Sequence, residues 1–415
     1  MIAVATDRPA LDIAVAGCGP CGLATALLLR RAGHRVTLFE RFEAARPIGS
    51  GLMLQPTGMA VLARLGLLDA VLAAGARIDR LFGKEGDRVV LDVHYAALRG
   101  RAAFGVGIHR ATLFSILHVA VLSEDVAVET DHLLTGSRLV GQRRALCFEG
   151  RPDSRPFDLV VDALGSRTPL APPTGRELAY GALWASLDWP DAGPFDSHVL
   201  EQRYSRASMM VGVLPIGKLP QSDRAKAAFF WSLRADRLDH WRRGGIDAWK
   251  GQVAALWPSC APMLSQIESP DQLTFARYAH RTLAAPAEPA LIHIGDAWHS
   301  ASPQLGQGAN MALLDAWALC VGLAEGVSVA DGIARAIALR RRHVRVYQWL
   351  TALFTPVYQS DSRLLPMIRN RLVGPLSRLW PATRIQAALV SGLVADPLTP
   401  LGLAAWPVPP PTPRG

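Results

Sequence analysis

Six residues near the start, Gly17-Cys18-Gly19-Pro20-Cys21-Gly22, have the types and spacing to hold a phosphate. Gly17 permits a tight turn, Gly19 lets backbone approach a pyrophosphate, and Gly22 lets a helix pack closely on the preceding strand. The pyrophosphate then sits at the positive end of that helix. Glu40 follows Gly22 by 18 residues, where a carboxylate accepts hydrogen bonds from ribose hydroxyls and repels a 2′-phosphate. The chemistry is dinucleotide binding, with NADP disfavoured at this turn. The stretch Cys18-Gly-Pro-Cys21 also has the form of a thioredoxin-type redox pair. The glycines and Glu40 already account for the loop, and there is no room for a separate small redox fold. Both thiols are read as small loop fillers.

A second concentration of chemistry lies far along the chain. Residues Ile294 to Asn310 read Ile-Gly-Asp-Ala-Trp-His-Ser-Ala-Ser-Pro-Gln-Leu-Gly-Gln-Gly-Ala-Asn. A strand ends in Gly295-Asp296, a Pro/Gly-rich loop follows, and then a helix begins. Ligands of doubly wound sheets bind at such strand ends. Asp296 can accept a hydroxyl hydrogen bond. Gly306 and Gly308 let bare N–H groups and a helix N-terminus face a ring that gains negative charge. His299 admits two roles, a general base or a residue that orders the loop.

The elements that must position these groups follow from hydrophobic periodicity and turn residues. Ile13–Val15 reads as a strand, Leu23–Arg31 as a helix closed by Gly33, and Arg35–Phe39 as a second strand: one βαβ unit and hence a parallel sheet. A helix is expected over about Thr57–Ala74 with a break at Gly66, and another over His109–Val121. Gly86-Asp87 signals a hairpin. Strands are expected at Ala127–Thr130, Leu133–Val140, Ala145–Glu149 and Phe157–Val161, then at Leu183–Leu187, His198–Tyr204, Ser208–Leu214, Ala228–Leu233 and Leu273–Arg281. Asp236–Trp257 and the chain from Asn310 onward read as helical. The order is nucleotide-type, sheet-type, nucleotide-type, helical.

With these residues in place, the Gly295–Asn310 block resembles the G-D-A-x-H-x-x-x-P-x-x-G-Q-G-x-N motif of the p-hydroxybenzoate-hydroxylase-type (class A) FAD-dependent monooxygenases. Three more stretches are similar: Glu40-Arg41-x-x-x-x-Arg46-x-x-Gly49-x-Gly51 with Leu54-x-Pro56, Arg110-x-x-Leu113-x-x-x-Leu117, and Val213-Leu-Pro-Ile-Gly217 with Phe229-Phe-Trp231. The resemblance covers about residues 11 to 350. More weakly, Thr355–Asp361 resembles the ubiquinone-biosynthesis-hydroxylase branch.

The resemblance implies an α/β fold: a Rossmann-like FAD-binding domain (1–75, 100–178 and 285–345), an inserted mixed β-sheet substrate domain (76–99 and 179–284), and a C-terminal helical segment and tail (346–415). It implies FAD, with NADH or NADPH as transient reductant and O2 as oxidant. A flavin C4a-hydroperoxide would oxygenate a hydrophobic aromatic or polyketide-like small molecule. By position, Gly17, Gly19 and Gly22 would hold the pyrophosphate and Glu40 the adenosine ribose, with Arg41 a further FAD-binding candidate; Arg46 and Arg110 would be cationic partners of FAD phosphates or of a visiting nicotinamide. Asp296 would meet the ribityl or pyrophosphate region. Pro303 and the Gly306–Gly308 backbone, Gln307 included, would line the isoalloxazine, with Pro303, Gly306 and His299 the catalytic candidates and Ala309 and Asn310 further FAD-binding candidates. Tyr180, Trp184, His198, Tyr204, Met209, Met210 and Trp231 are the pocket candidates. One departure stands out. Where the family has G-A-D-G-x-x-S-x-x-R, this chain has Ala163-Leu164-Gly165-Ser166, with Ala171 at the usual arginine. Asp162 and Arg167 are the nearest stand-ins. A flavin dehydrogenase or reductase of the same fold is therefore an alternative. A halogenase is a weaker one, because its W-x-W-x-I-P motif is missing and the chain has only four lysines.

Composition narrows the remaining classes. The chain has 415 residues, 50 % apolar and 19 % charged, which excludes a disordered polyelectrolyte. Its formal charge of +9 comes from arginines spread along the chain, so nucleic acid is not an expected partner. No signal pattern, transmembrane segment or metal-ligand spacing is visible. Five scattered cysteines fit reduced thiols and a cytoplasmic protein, monomer or homodimer. Peripheral membrane contact through Ile385–Val394 is a further alternative.

Overall fold

A computed structural model describes residues 9–43, 49–98, 103–373 and 379–404. Among them the chain builds a six-stranded sheet and a seven-stranded sheet joined by smaller ones. Asp12–Ala16, all buried, lies inside the first sheet, between Arg35–Phe39 and Leu159–Asp162, and pairs in parallel with both. Leu291–His293 extends the sheet in parallel beyond Leu159–Asp162, and Ala127–Glu129 does so beyond Arg35–Phe39. The inner strands Asp12–Ala16 and Leu159–Asp162 are covered on both faces and are buried throughout, while the edge strand Ala127–Glu129 is largely exposed. The helices Pro20–Arg31, Arg110–Ser123 and Gly308–Glu325 supply much of that cover, and Leu23, Leu27, Leu117, Leu313 and Leu319 are fully buried between them and the sheet.

The seven-stranded sheet is mainly antiparallel, centred on Tyr180–Asp188, Ala225–Arg234 and Met209–Lys218. Its residues alternate between two cores. Leu183, Val211, Phe229 and Trp231 face outward onto Trp249, Val253 and Met263 of the covering helices. Met210, Leu214, Ala228 and Phe230 face the other way, onto Met53, Ile78 and Tyr95. That inner face meets a small sheet of Gly51–Leu54, Gly105–His109 and Ala76–Ile78. A Cβ on Gly107 would lie 1.9 Å from Pro215 O, so only glycine allows the two layers to come this close.

The helix expected over Thr57–Ala74 breaks at Gly66 as its sequence indicates, into Pro56–Arg64 and Leu68–Ala74, with Gly66 in the left-handed region between them. Elsewhere sequence expectation and structure differ. Asp236–Trp257 divides at Gly245, also at positive φ. Leu273–Arg281 is two strands, Thr274–Ala276 and Ala279–Thr282, serving different sheets. The strands Gly51–Leu54 and Gly105–His109 were not anticipated, because their glycines weaken the alternation that marks a strand.

Candidate active site

The glycine turn is built as its residue types require. Gly17 has φ +103°, and a Cβ there would lie 2.8 Å from Ala163 O. A Cβ on Gly22 would lie 1.9 Å from Gly17 O, so the helix seats against the turn only with glycine. Gly19, the N-cap of Pro20–Arg31, differs: no heavy atom lies within 4 Å of where its Cβ would be. The first turn of this helix carries no acid. Open space over a helix N-terminus without a competing carboxylate suits a phosphate. Glu40 closes one side, with Oε2 accepting from Cys18 N–H at 3.0 Å. Arg41 is exposed and its guanidinium lies 4.6 Å from the Phe42 ring centroid. Arg46 lies outside the described residues.

Burial settles the chemistry of the two thiols. Desolvation, with Glu40 adding, pushes Cys18 up to about 12, and desolvation with three nearby carboxylates pushes Cys21 up as well. Catalytic redox thiols are shifted the other way.

The Gly295–Asn310 block folds directly beside this turn. Cys21 Sγ lies 3.6 Å from Ala312 O, and a Cβ on Gly295 would meet Cys21 Sγ at 3.1 Å. Gly295 adopts φ +57° and its N–H donates to Asp315 Oδ2 at 2.9 Å. This places Asp296 as the one exposed residue in the otherwise buried run Leu291–Ser300. Desolvation by the surrounding walls holds its carboxyl above the usual range, with His299 and Arg110 opposing and Asp315 adding. Arg110 starts its helix beside Gly49, where a Cβ would lie 2.9 Å from Arg110 Cδ. After Pro303, which is exposed, Gly306 takes the left-handed conformation at φ +60°. Gly308 then opens a helix without an acid in its first turn, and nothing lies within 4 Å of its Cβ position. Ala309 is half-buried next to it.

The polar side chains of this loop point into the protein. Asn310 is fully buried; its Oδ1 accepts from Gln55 N–H at 2.7 Å, and its Nδ2 donates to Met53 O at 3.1 Å and Gly306 O at 3.0 Å. Gln307 donates to Val390 O at 2.5 Å. His299 Nε2 is 2.6 Å from Asp315 Oδ2, both side chains buried, while Arg340 Nε donates to Asp315 Oδ1 at 2.7 Å. Desolvation pulls the Asp315 carboxyl up, but the charges of His299 and Arg340 and their hydrogen bonds outweigh it and bring it down to about 2. His343 continues the chain, 3.0 Å from Arg340 Nη1 and 3.0 Å from Gly392 O. With Nε2 held by the buried Asp315, His299 has the geometry of a side chain that orders the loop.

The pocket candidates separate. Trp184 faces inward, its ring centroid 4.8 Å from that of Phe230, and its Nε1–H donates to Tyr278 Oη at 2.9 Å. Met210 is on the same buried face. Met209 is exposed at the strand end. Tyr204 faces this core too, but its ring is 5.6 Å from Tyr358 and lies under the Arg369 guanidinium. Tyr180 donates to Asp361 near the surface. Two candidates are corrected. Trp231 lies on the outer face, 6.3 Å from Trp249, because sheet alternation pairs it with Leu183 rather than with Trp184. His198 is on an exposed turn, with Nδ1 3.6 Å from Asp196; the strand begins only at Val199. Nor can Asp162 stand in for the motif aspartate at Leu164. It is fully buried and already accepts from Leu164 N–H at 3.0 Å and Thr168 Oγ1 at 2.7 Å, with His293 Nδ1 at 2.7 Å. Arg167 is exposed.

Sequence reasoning missed Tyr278. Burial pushes its hydroxyl up to about 12, with the Trp184 hydrogen bond and Arg110 opposing. It sits in the break between two strands that periodicity had merged into one.

Comparison with known proteins agrees with this geometry. The FAD binding domain family model matches residues 10–112 and 186–344. "Aurachin C monooxygenase/isomerase" of Stigmatella aurantiaca is 25 % identical over 410 residues, covering 94 % of this chain and all of that protein. "6-methylpretetramide 4-monooxygenase" of Streptomyces rimosus is 28 % identical over 402 residues, covering 92 % and 89 %. Among solved structures, the tetrameric form of 2-methyl-3-hydroxypyridine-5-carboxylic acid oxygenase has the same fold, with TM-score 0.76, 18 % identity, and 96 % and 99 % coverage. Klebsiella pneumoniae HpxO complexed with FAD and uric acid has TM-score 0.77 at 17 % identity, covering 93 % and 97 %. The family match takes in more than half of the chain, including the glycine turn, Glu40, Arg110 and the Asp296 loop: this chain belongs to the FAD binding domain family.

Proposed function

We propose that this chain is an FAD-dependent monooxygenase. It takes electrons from NADH or NADPH and oxygen from O2, places one oxygen atom on a hydrophobic aromatic or polyketide-like small molecule, and releases the other as water. The observation that carries the reading is the meeting of two open helix N-termini, at Gly19 and Gly308, across the Gly295–Cys21 contact. Its curated relatives are named monooxygenases, which supports it.

The residues fit an FAD. Gly17, Gly19 and Gly22 shape the turn for the pyrophosphate, and Glu40 offers its carboxylate to the adenosine ribose. Arg110 supplies positive charge beside Asp296, which faces the cleft. The backbone from Pro303 to Ala309 supplies N–H dipoles for the ring. Bound FAD supplies hydride acceptance and O2 activation. The protein's part is placement and dryness. Asp315 and Asn310 fix the loop, and Trp184, Tyr278, Phe230 and Met210 supply an apolar wall with one polar tip. His299 acts as a positioning residue. On this reading, residues 1–75, 100–178 and 285–345 bind FAD, and 76–99 with 179–284 hold the substrate.

Leu164 in place of the motif aspartate favours one second reading, a flavin dehydrogenase or reductase that inserts no oxygen. The test is NADH- or NADPH-driven O2 uptake with isotopically labelled O2 and candidate aromatic substrates. Label appearing in the product supports the monooxygenase. Reductant oxidation with a second acceptor, and no label in any product, supports the alternative.

A further inference from the structure

The C-terminal helices carry an exposed apolar surface that the flavin reading does not use. Of fourteen large apolar side chains exposed among the described residues, eight fall between Trp349 and Ile385. On the long helix Val329–Tyr358 the outward stripe is Arg341, Arg345, Trp349 and Leu353, spaced four residues apart. Leu364 and Met367 continue it on Leu364–Ile368, which packs on the end of that helix. Trp380 is 70 % exposed and Ile385 59 %, at the start of Ala382–Val390. Ala387 and Val390 of that helix are buried, so the earlier candidate segment Ile385–Val394 turns mostly inward.

These elements are fastened to the body of the protein. Tyr347 Oη donates to Leu389 O at 2.8 Å, and His343 Nε2 is 3.0 Å from Gly392 O. The fully buried Arg369 donates to Glu85 Oε2 at 2.6 Å. The exposed side chains are therefore presented by a packed scaffold.

Charge names the partner. Residues 341–390 contain eight arginines and a single acid, Asp361. Asp361 is taken by Arg234 and Tyr180. Exposed Arg341, Arg342, Arg345, Arg363, Arg371 and Arg384 have no acidic partner among the described residues. Exposed tryptophan and aliphatic side chains interleaved with unpaired arginines match a bilayer interface with anionic headgroups. A second copy would bring the same arginines face to face. A nucleic acid has no use for exposed leucine, methionine and isoleucine.

We propose that this surface docks the enzyme reversibly on an anionic lipid bilayer. No described helix is long and apolar enough to cross a membrane, so the contact is peripheral. The test is co-sedimentation of the full-length, FAD-loaded protein with phosphatidylcholine vesicles, with and without phosphatidylglycerol. Binding is expected only to the anionic vesicles, weakening as salt rises. Reversing Arg345→Glu and Arg371→Glu together should weaken it about thirtyfold or more. Trp349→Ser with Trp380→Ser should weaken it about tenfold or more. Both variants should keep their flavin content and molar mass. The proposal is overturned by no binding at low salt, by equal binding to neutral vesicles, or by binding that DNA alone competes away. It is also overturned if the wild type is a dimer that these variants split and no vesicle binding is seen.

Discussion

His299 Nε2 and Asp315 Oδ2 approach to 2.6 Å in the protein interior, and the other oxygen of that carboxylate holds Arg340. The pair spans the cleft loop and the helix beneath it, so one buried anion orders both. Removing it by Asp315→Ala leaves Arg340 buried without a counter-charge. The expected loss is about 3–5 kcal/mol of stability, read as a lower urea midpoint at unchanged slope. Asp315→Leu combined with Arg340→Met should recover only part of it, because the buried His299 Nε2 and Gly295 N–H, which use the same carboxylate, are left without a partner.

Gly22 and Gly19 should behave oppositely although both belong to the turn. Gly22→Ala places a methyl 1.9 Å from Gly17 O and should destabilise the fold outright. Gly19→Ala meets nothing within 4 Å, so its thermal midpoint without cofactor should stay close to wild type. Its affinity for FAD should nevertheless fall about tenfold or more, as the methyl occupies the phosphate approach. Flavin fluorescence titration beside thermal unfolding separates the two effects.

Trp184→Phe keeps a ring against Phe230 but removes the N–H that Tyr278 accepts. One neutral hydrogen bond contributes about 0.5–1.5 kcal/mol, so KM for the aromatic substrate should rise up to roughly tenfold. FAD affinity should not change. A parallel loss of flavin would place this pair with the cofactor instead.

Acid should destabilise the protein below about pH 6.5, the ordinary histidine value. His34, His109, His118, His280 and His343 are all shifted below it, each chiefly by burial. A depressed histidine takes up its proton first in the unfolded chain, so unfolding becomes easier as pH falls. His343, buried beside Arg340, contributes most. His343→Gln should lower stability at neutral pH yet flatten its decline between about pH 7 and 5. Denaturant midpoints across that range check the slope.

Much of the flavin side is legible in the sequence, because its chemistry is local. Gly17, Gly19, Gly22 and Glu40 lie on one strand-turn-helix-strand, and Asp296 to Asn310 on one loop. Their conformations follow from backbone needs that neighbours in sequence impose. The inner face of the seven-stranded sheet, the proposed substrate side, is not local. Whether Trp184 or Trp231 lines the inner face depends on strand parity against a core supplied by Met53 and Tyr95, which periodicity cannot assign. Tyr278 acquires its position from a break between two strands. The reach of Asn310 to Gln55 and of Gln307 to Val390 is likewise set by tertiary packing alone.

The strand order of the six-stranded sheet also governs how the chain must be made. Leu159–Asp162 pairs on one edge with Asp12–Ala16, but its other edge waits for Leu291–His293, about 130 residues later. The helix that covers Pro20–Arg31 comes later still. At ribosomal elongation rates that interval is on the order of ten seconds. Throughout it the backbone edge of a strand that ends up buried and the flank of the first helix stay uncovered. Heterologous production should therefore be limited by chaperone capacity and growth temperature more than by the finished fold's stability. Slow, cool expression with abundant holdase should yield more flavin-binding protein than any increase in transcription.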